Sequence, residues 1–304
     1  MRSLCRTIDC DYLGPKFAAA YLRIEGDEAA FVETNTSHAV PTLLATLAEE
    51  GLAPEAVRWI VVTHVHLDHA GGAGVLAAAC PNAIVLAHPQ AVRHLRDPAK
   101  LIASARQVYG DEKFDALYGD IVPIAAERVR ELGEGEGVDF GRGSLRVRHT
   151  RGHAKHHFIV EDEAADTVFT GDTFGLAYPR LQRAGVFAFP STSPAGFEAE
   201  EAKKSIDRVL ATGLRTACLT HYGAYEELEE IAAQLRPWID LSEQLVEVAR
   251  RKGPESVGEI EAALRARMIQ CAEARGLSLD AEDWKVLELD LELNAQGLVA
   301  VAGR

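Results

Sequence analysis

No stretch of this chain reaches the roughly 20 apolar residues that a membrane-spanning helix needs. The amino terminus, MRSLCRTIDCDYLGPK, has no apolar segment long enough for a secretory leader. The chain is therefore expected to be cytoplasmic and to have no membrane partner. Cysteine is sparse: Cys5, Cys10, Cys80, Cys218 and Cys271 are odd in number and include no CxxC pair. A disulfide framework and a thiolate zinc site are both disfavoured, and buried free thiols are the plain reading. Positive charge is also in deficit. The formal net charge is -14, and no Lys/Arg cluster stands out that would draw in phosphates, so no nucleic acid partner is expected. Internal repeats and low-complexity segments are missing as well.

What is present is ample apolar material, 47% of 304 residues, enough for a large globular core. The first half alternates short β-rich runs with helical stretches. FAAAYLRIE and EAAFVET read as strands around a Gly-Asp turn, and PTLLATLAEEG as a helix opened by Pro41 and stopped by Gly51. RWIVVT and NAIVLAH read as further strands flanking a helical GGAGVLAAAC. Residues 90 to about 130 are helix-rich and include Tyr109, Phe114 and Tyr118 as candidates to cover a site. GSLRVRHT, DTVFTG and TACLTH are later strands, each ending in polar residues. From about residue 224 the pattern turns helical. SVGEIEAALRARMIQCAEARG carries capping-box spacing at Ser256 and Glu259, with Ile260, Leu264, Met268 and Cys271 on one face and Gly276 as a stop.

The chemistry is concentrated in THVHLDHAGG, which places His64, His66, Asp68 and His69 within six residues directly after a strand. Each ring needs hydrogen-bond partners and the carboxylate must be paired or solvated, so packing alone does not account for the group. Metal binding satisfies all four at once. In an extended loop, residues 64 and 66 point the same way while 68 and 69 face a neighbouring point, which suits two adjacent ions better than one. A second oddity is TGDTFG, where Asp172 follows a run that reads as a buried strand.

With its HxHxDH motif at a strand end, the sequence resembles the metallo-β-lactamase superfamily. The resemblance covers about residues 12 to 225. It implies an α/β fold, a four-layer αββα sandwich with the metal site along one edge of the two sheets, here followed by a C-terminal helical appendage. It also implies three later ligands at strand ends: His153 in HTRGHAKHH, Asp172 in TGDT and His221 in LTHYG. Carried over residue by residue, His64, His66 and His153 bind a first metal, and Asp68, His69 and His221 a second. Asp172 bridges them, its charge compensated by two cations. Two divalent ions are implied, with zinc preferred and iron or manganese admitted by the same nitrogen and carboxylate set. The chain divides into a catalytic domain, residues 1–225, and a helical region, residues 226–304, expected as a substrate cover or a dimerisation element. A homodimer is compatible with this.

The match has departures. Arg151 stands where the family commonly has Pro, and Glu33 where an early strand usually ends in Asp. His157, four residues after His153, is a candidate to orient a ligand, and His156 a weaker one. His88 is a candidate site-lining residue, and His38, His94 and His149 carry no assigned role. Tyr178 and Tyr222 are expected to be packing residues, with oxyanion donation as the functional alternative. Phe187 and Phe189 in GVFAFPSTSP are either a substrate wall or part of an ordinary loop.

The resemblance implies a binuclear hydrolase in which a hydroxide held between metals roughly 3.5 to 4 Å apart attacks a small ester-like substrate, a thioester or lactone. Asp68 is the expected proton acceptor. Lactamases of the fold lack the Asp172 counterpart and are exported; its RNA-processing nucleases are disfavoured by the acidic balance. His66, where flavodiiron relatives usually have Glu, favours hydrolysis. Glyoxalase II-like thioesterases and acyl-homoserine lactonases share all seven ligands. The competing readings are a sulfur dioxygenase-like enzyme with a single iron and a metal-loaded O₂ sensor.

Overall fold

The computed structural model describes residues 2–192 and 196–304; Ser193 and Pro194 of the GVFAFPSTSP loop and the Tyr109 side chain lie outside the described residues. The chain runs β1 (Ser3–Asp9), β2 (Ala19–Glu25), β3 (Glu28–Val32), α1 (Val40–Glu49), β4 (Val57–Val61), α2 (Leu67–Ala70), α3 (Ala73–Ala79) and β5 (Ile84–Ala87). It continues through α4 (Pro89–Arg96), α5 (Ala99–Tyr109), α6 (Asp111–Tyr118), β6 (Val129–Glu131), β7 (Gly137–Phe140), β8 (Gly143–Thr150), β9 (His157–Asp162) and β10 (Thr167–Gly171). It ends with α7 (Ala199–Leu210), β11 (Thr216–Leu219), β12 (Gly223–Tyr225), α8 (Leu228–Lys252), α9 (Val257–Ala274) and α10 (Ala281–Ala302).

Two six-stranded mixed sheets result, ordered β1-β2-β3-β4-β5-β6 and β12-β11-β10-β9-β8-β7. Strands β3 to β6 run parallel to one another, as do β10 and β11, and the other pairs are antiparallel. The period-2 alternation of each strand sorts its side chains into layers. On β4, Trp59 and Val61 face the second sheet and meet Phe158, Val160 and Phe169, whereas Ile60 packs outward against Leu43, Leu47 and Leu76 of the helices; Val57 joins that outer cluster because the register with β3 shifts between it and Trp59. The outer face of the second sheet, with Ile159, Val168, Ala217 and Leu219, is covered by α7 and by α8 to α10. The four layers are thus helix, sheet, sheet, helix.

The helical tail shares its hydrophobic core with this outer face: Leu235, Trp238, Leu264, Met268, Leu291 and Leu298 belong to the same buried cluster as β9 to β11. The Ser256 capping box does not form. Ser256 lies in a tight turn and donates to the Gly253 carbonyl, and Glu259 pairs with Lys252 instead. A capping box does occur at the start of α10, where the Asp280 side chain accepts from the Asp283 amide and Asp283 accepts from the Asp280 amide. Phe187 and Phe189 are fully buried in the tail-facing core, with Phe189 6.0 Å from the Tyr178 ring and 6.4 Å from that of Trp238. They are core residues and not an open substrate wall.

Candidate metal centre

All seven expected residues sit just beyond strand ends on one rim of the sandwich. After β4 the chain leaves the sheet at Val62 and Thr63, His66 remains extended, and α2 then turns Asp68 and His69 back toward the rim. His153 lies in the turn between β8 and β9, Asp172 follows β10, and His221 follows β11. The two sheets are tied together at this rim by main-chain bonds, Phe158 N–H to the Thr63 carbonyl and Ala19 N–H to the Thr220 carbonyl.

Two trios of side chains converge there. His64 Nε2 stands 2.6 Å from His66 Nδ1, which is 3.0 Å from His153 Nε2. Beside them, Asp68 Oδ2 lies 3.7 Å from His69 Nε2 and 3.4 Å from His221 Nε2. Asp172 reaches both groups, with Oδ2 3.5 Å from His153 Nε2 and Oδ1 3.2 Å from His69 Nε2 and 3.7 Å from His221 Nε2. Each trio has its ligand atoms close enough to share one ion. His69 Nε2 and Asp172 Oδ1 are buried and lack a hydrogen-bond partner of acceptable geometry among the described residues. Unpaired buried acceptors and imidazoles facing one another are what a cation would satisfy, so the donor set fits two metal ions.

The rings are aimed from behind. His69 Nδ1–H donates to Glu33 Oε1 at 3.1 Å, while His64 Nδ1 contacts Thr63 Oγ1 at 3.1 Å and the Thr63 hydroxyl in turn donates to Glu33. Thr220 also donates to Glu33, at 3.3 Å. Glu33 therefore replaces the family's Asp as the residue that fixes one ring of each trio and leaves both Nε2 atoms free. A third grouping, Glu33, His64 and His69, is close enough to hold an ion, but these bonds already occupy Glu33. His221 Nδ1–H donates to the Phe17 carbonyl at 3.0 Å, and Asn35 Nδ2 holds the Asp68 carbonyl at 2.9 Å. The carbonyl of Phe17 has no signature in the sequence, because every residue has one.

His157 bonds the Thr150 hydroxyl at 2.6 Å and accepts the Asp172 amide at 3.3 Å, so it positions the backbone of the bridging candidate rather than a ring. Gly171 between them has φ +51°, and a Cβ there would stand 2.4 Å from His157 Nε2. Arg151 keeps an amide that proline would lose: it donates to Ser205 Oγ at 3.0 Å, anchoring the turn to α7. His88 caps α4 by accepting the Gln90 amide and packs against the His149 ring in a tilted arrangement, 4.1 Å between centroids. Tyr178 is buried with its hydroxyl bonded to Asp290, and Tyr222 is a half-buried packing residue.

Protons are unevenly held across the site. Burial, reinforced by neighbouring imidazoles, pulls His64 and His66 well below the ordinary imidazole range. Burial opposes charge at His69 and His221 too, but Asp172 and Asp68 prevail, holding His69 well up and placing His221 at about 9. Asp68 and Asp172, despite burial, are held below the usual carboxylate range by these two rings.

The model of the metallo-beta-lactamase superfamily matches residues 13–221. The chain belongs to that superfamily. A metallo-beta-lactamase fold-containing protein of Sulfurisphaera tokodaii is 34% identical over 124 residues, 40% of this chain and 46% of that one. A hydroxyacylglutathione hydrolase of Rhodopseudomonas palustris is 29% identical over 170 residues, 53% of each. The chain spans about half the length of these curated relatives. Among solved structures, an archaeal metallo-beta-lactamase superfamily protein from Sulfolobus tokodaii has a TM-score of 0.68 at 20% identity, with 98% of this chain and 99% of that one covered. A metallo-beta-lactamase family protein from Thermus thermophilus has a TM-score of 0.65 at 21% identity, with 99% and 92% covered. The shared metallo-beta-lactamase fold thus extends over nearly the whole chain, the C-terminal helices included. No helix among the described residues is long and apolar enough to cross a membrane.

Proposed function

We propose that this chain is a binuclear metal-dependent hydrolase of small ester-like substrates, thioesters or lactones. The observation that carries the reading is Asp172, whose two oxygens face different trios. His64, His66 and His153 would hold one ion, Asp68, His69 and His221 the other, and Asp172 both, with zinc the preferred metal. When bound, such a pair supplies Lewis acidity and a water acidified toward neutrality.

The chain's own residues supply the rest. Glu33, directly to His69 and through Thr63 to His64, keeps the Nε2 atoms of these two rings aimed at the cleft, and the Phe17 carbonyl does the same for His221. Asp68 is the proton acceptor: its side chain is 26% exposed against 7% for Asp172, so it is the carboxylate more open to bulk water. The likeness to a protein named hydroxyacylglutathione hydrolase supports the thioester class. Residues 226–304 brace the site from behind, where α10 places Asp290 against Tyr178.

The test is metal content by mass spectrometry on protein purified without added metal, followed by thioester, lactone and phosphodiester assays. Close to two zinc ions per chain, and turnover lost in His66→Ala and Asp172→Ala, are expected. Full activity in either variant overturns the site assignment; one iron per chain redirects the reading to oxygen chemistry.

A further inference from the structure

The cysteines are free but not all buried: Cys10, Cys80 and Cys218 are, Cys271 is half-buried, and Cys5 is exposed. Cys5 lies on β1, at the edge of the first sheet, and pairs with Arg23 of β2. Residues opposite one another in an antiparallel pair share a face, so Cys5 points the way Arg23 does. That way is into the space between the sheets. Arg23 Nε donates to Asp162 of β9 at 2.6 Å, and the guanidinium lies over the Phe140 ring. Tyr21, two residues before Arg23 and on the same face, donates its hydroxyl to the Leu219 carbonyl of β11 at 2.5 Å. Cys218, the residue before Leu219, belongs to the inter-sheet cluster with Tyr21, Val160 and Phe169.

Cys5 and Cys218 meet there, their side chains hydrogen-bonded to each other from opposite sheets. This bond is the largest influence on both thiols. With the Arg23 guanidinium beside it, it holds Cys5 below the ordinary thiol range, and with burial it pushes Cys218 well above. Burial alone takes Cys10 to about 12 and Cys80 to about 11. An accessible sulfur with thiolate character, touching a second and sheltered sulfur, is what thiol–disulfide exchange requires of an attacking and a resolving cysteine.

The geometry points to Cys5 and Cys218 as a reversible disulfide site, oxidised by a low-molecular-weight disulfide, that clamps β1 to β11 across the two sheets. Cys5 attacks one sulfur of the incoming disulfide, so that a mixed disulfide forms and a first small thiol leaves with the Cys5 proton. Cys218 then attacks Cys5 Sγ, closing the protein disulfide and expelling a second small thiol, which takes the Cys218 proton. The two protein thiols lose two electrons, and the incoming disulfide gains them. His221 follows Cys218 by three residues, so the clamp holds the strand that delivers this candidate ligand against the first sheet.

The experiment incubates the full chain with glutathione disulfide, blocks the remaining thiols with iodoacetamide and maps cross-linked peptides by mass spectrometry. A Cys5–Cys218 cross-link that dithiothreitol reverses is expected from the wild type alone. Its formation should raise Tm by about 5 °C, as a bridge closing a long loop does. In Cys218→Ser the mixed disulfide on Cys5 should accumulate and the rise in Tm disappear. Cys5→Ser, at an exposed position, should leave Cys218 unmodified, and Cys80→Ser should behave as wild type. A wild type that stops at the mixed disulfide on Cys5, or that cross-links through Cys10 or Cys271 instead, overturns the pair. A Cys5–Cys218 cross-link without a rise in Tm overturns the clamp. Neither cysteine is a candidate metal ligand, so each result stands apart from the hydrolase reading.

Discussion

The hydroxyl of Tyr178, six residues beyond Asp172, donates at 2.8 Å to the Asp290 carboxylate on α10, 112 residues away in the chain. Both side chains are buried, and Phe17 stacks on the Tyr178 ring at 5.0 Å while meeting the His221 ring edge-on at 5.8 Å. The helical tail therefore bears on the wall of the metal centre through one polar contact set in an apolar interface. A phenol committed to this bond is a strut, which settles Tyr178 toward the packing reading and gives it a partner.

Burial pushes the Asp290 carboxyl up to about 7 from an ordinary 3.8, with Asp172 and Asp68 adding to the rise and Tyr178 and His221 opposing it. In the metal-free protein the folded state thus keeps a proton that the unfolded chain has released. Asp290 contributes a stability that is full below pH about 4 and is lost as pH rises through about 7. Asp290→Asn retains an acceptor for Tyr178 and cannot titrate. Urea midpoints measured at pH 5 and pH 8 should shift in favour of the variant at the higher pH; a constant difference between the two proteins would count against a buried, titrating Asp290.

Glu33 joins the two trios through His69 directly and through Thr63 to His64. Truncating it to Ala leaves both rings free to rotate and removes a buried counter-charge near His69. Zinc affinity should fall by about 10- to 100-fold, the usual effect of losing a group that orients metal-binding histidines. Glu33→Gln, which keeps an acceptor, should recover part of that loss. Competition with a chromophoric chelator reads both, and wild-type affinity in Glu33→Ala would refute the role.

Gly171 offers a steric test of the same corner. An added Cβ would meet His157 Nε2 at 2.4 Å and Thr63 Oγ1 at 2.6 Å, at a left-handed φ of +51°. Gly171→Ala should cost about 2 to 4 kcal/mol, the left-handed backbone penalty plus overpacking. Gly213, at φ +67° with nothing within 4 Å of a new Cβ, should show only the backbone part. Chemical denaturation distinguishes the two, and equal costs would mean that the corner relaxes freely.

The sandwich and the grouping of the seven residues were legible because side-chain type and strand-end position both carry signal. His64, His66, Asp68 and His69 lie within six residues, and His153, Asp172 and His221 each follow a strand-like run. What was not legible depends on the fold's long-range meetings. The Phe17 carbonyl has no sequence signature, and Tyr178 and Asp290 look ordinary until α10 packs. Ser256 has capping-box spacing, but the preceding turn claims its hydroxyl. Phe187 and Phe189 read as a wall only until the tail covers them.

The uneven proton holding of the metal-free centre predicts an order of events on metal binding. His64, His66 and His153 are kept neutral by burial, so an ion entering there displaces no protons near pH 7.5. His69, held well up, and His221, at about 9, are cationic at that pH because Asp172 and Asp68 face them. An ion entering the second trio must displace about two protons. The second site should therefore weaken steeply as pH falls from about 9 toward 6, while the first changes little. Titration calorimetry of the metal-free protein in two buffers of different ionisation enthalpy separates the steps. Equal proton release at both would mean that the carboxylates do not hold His69 and His221 in their charged forms. Release concentrated in the weaker step would instead explain, from residues in this chain alone, why protein prepared at low pH should keep one metal and lose the other.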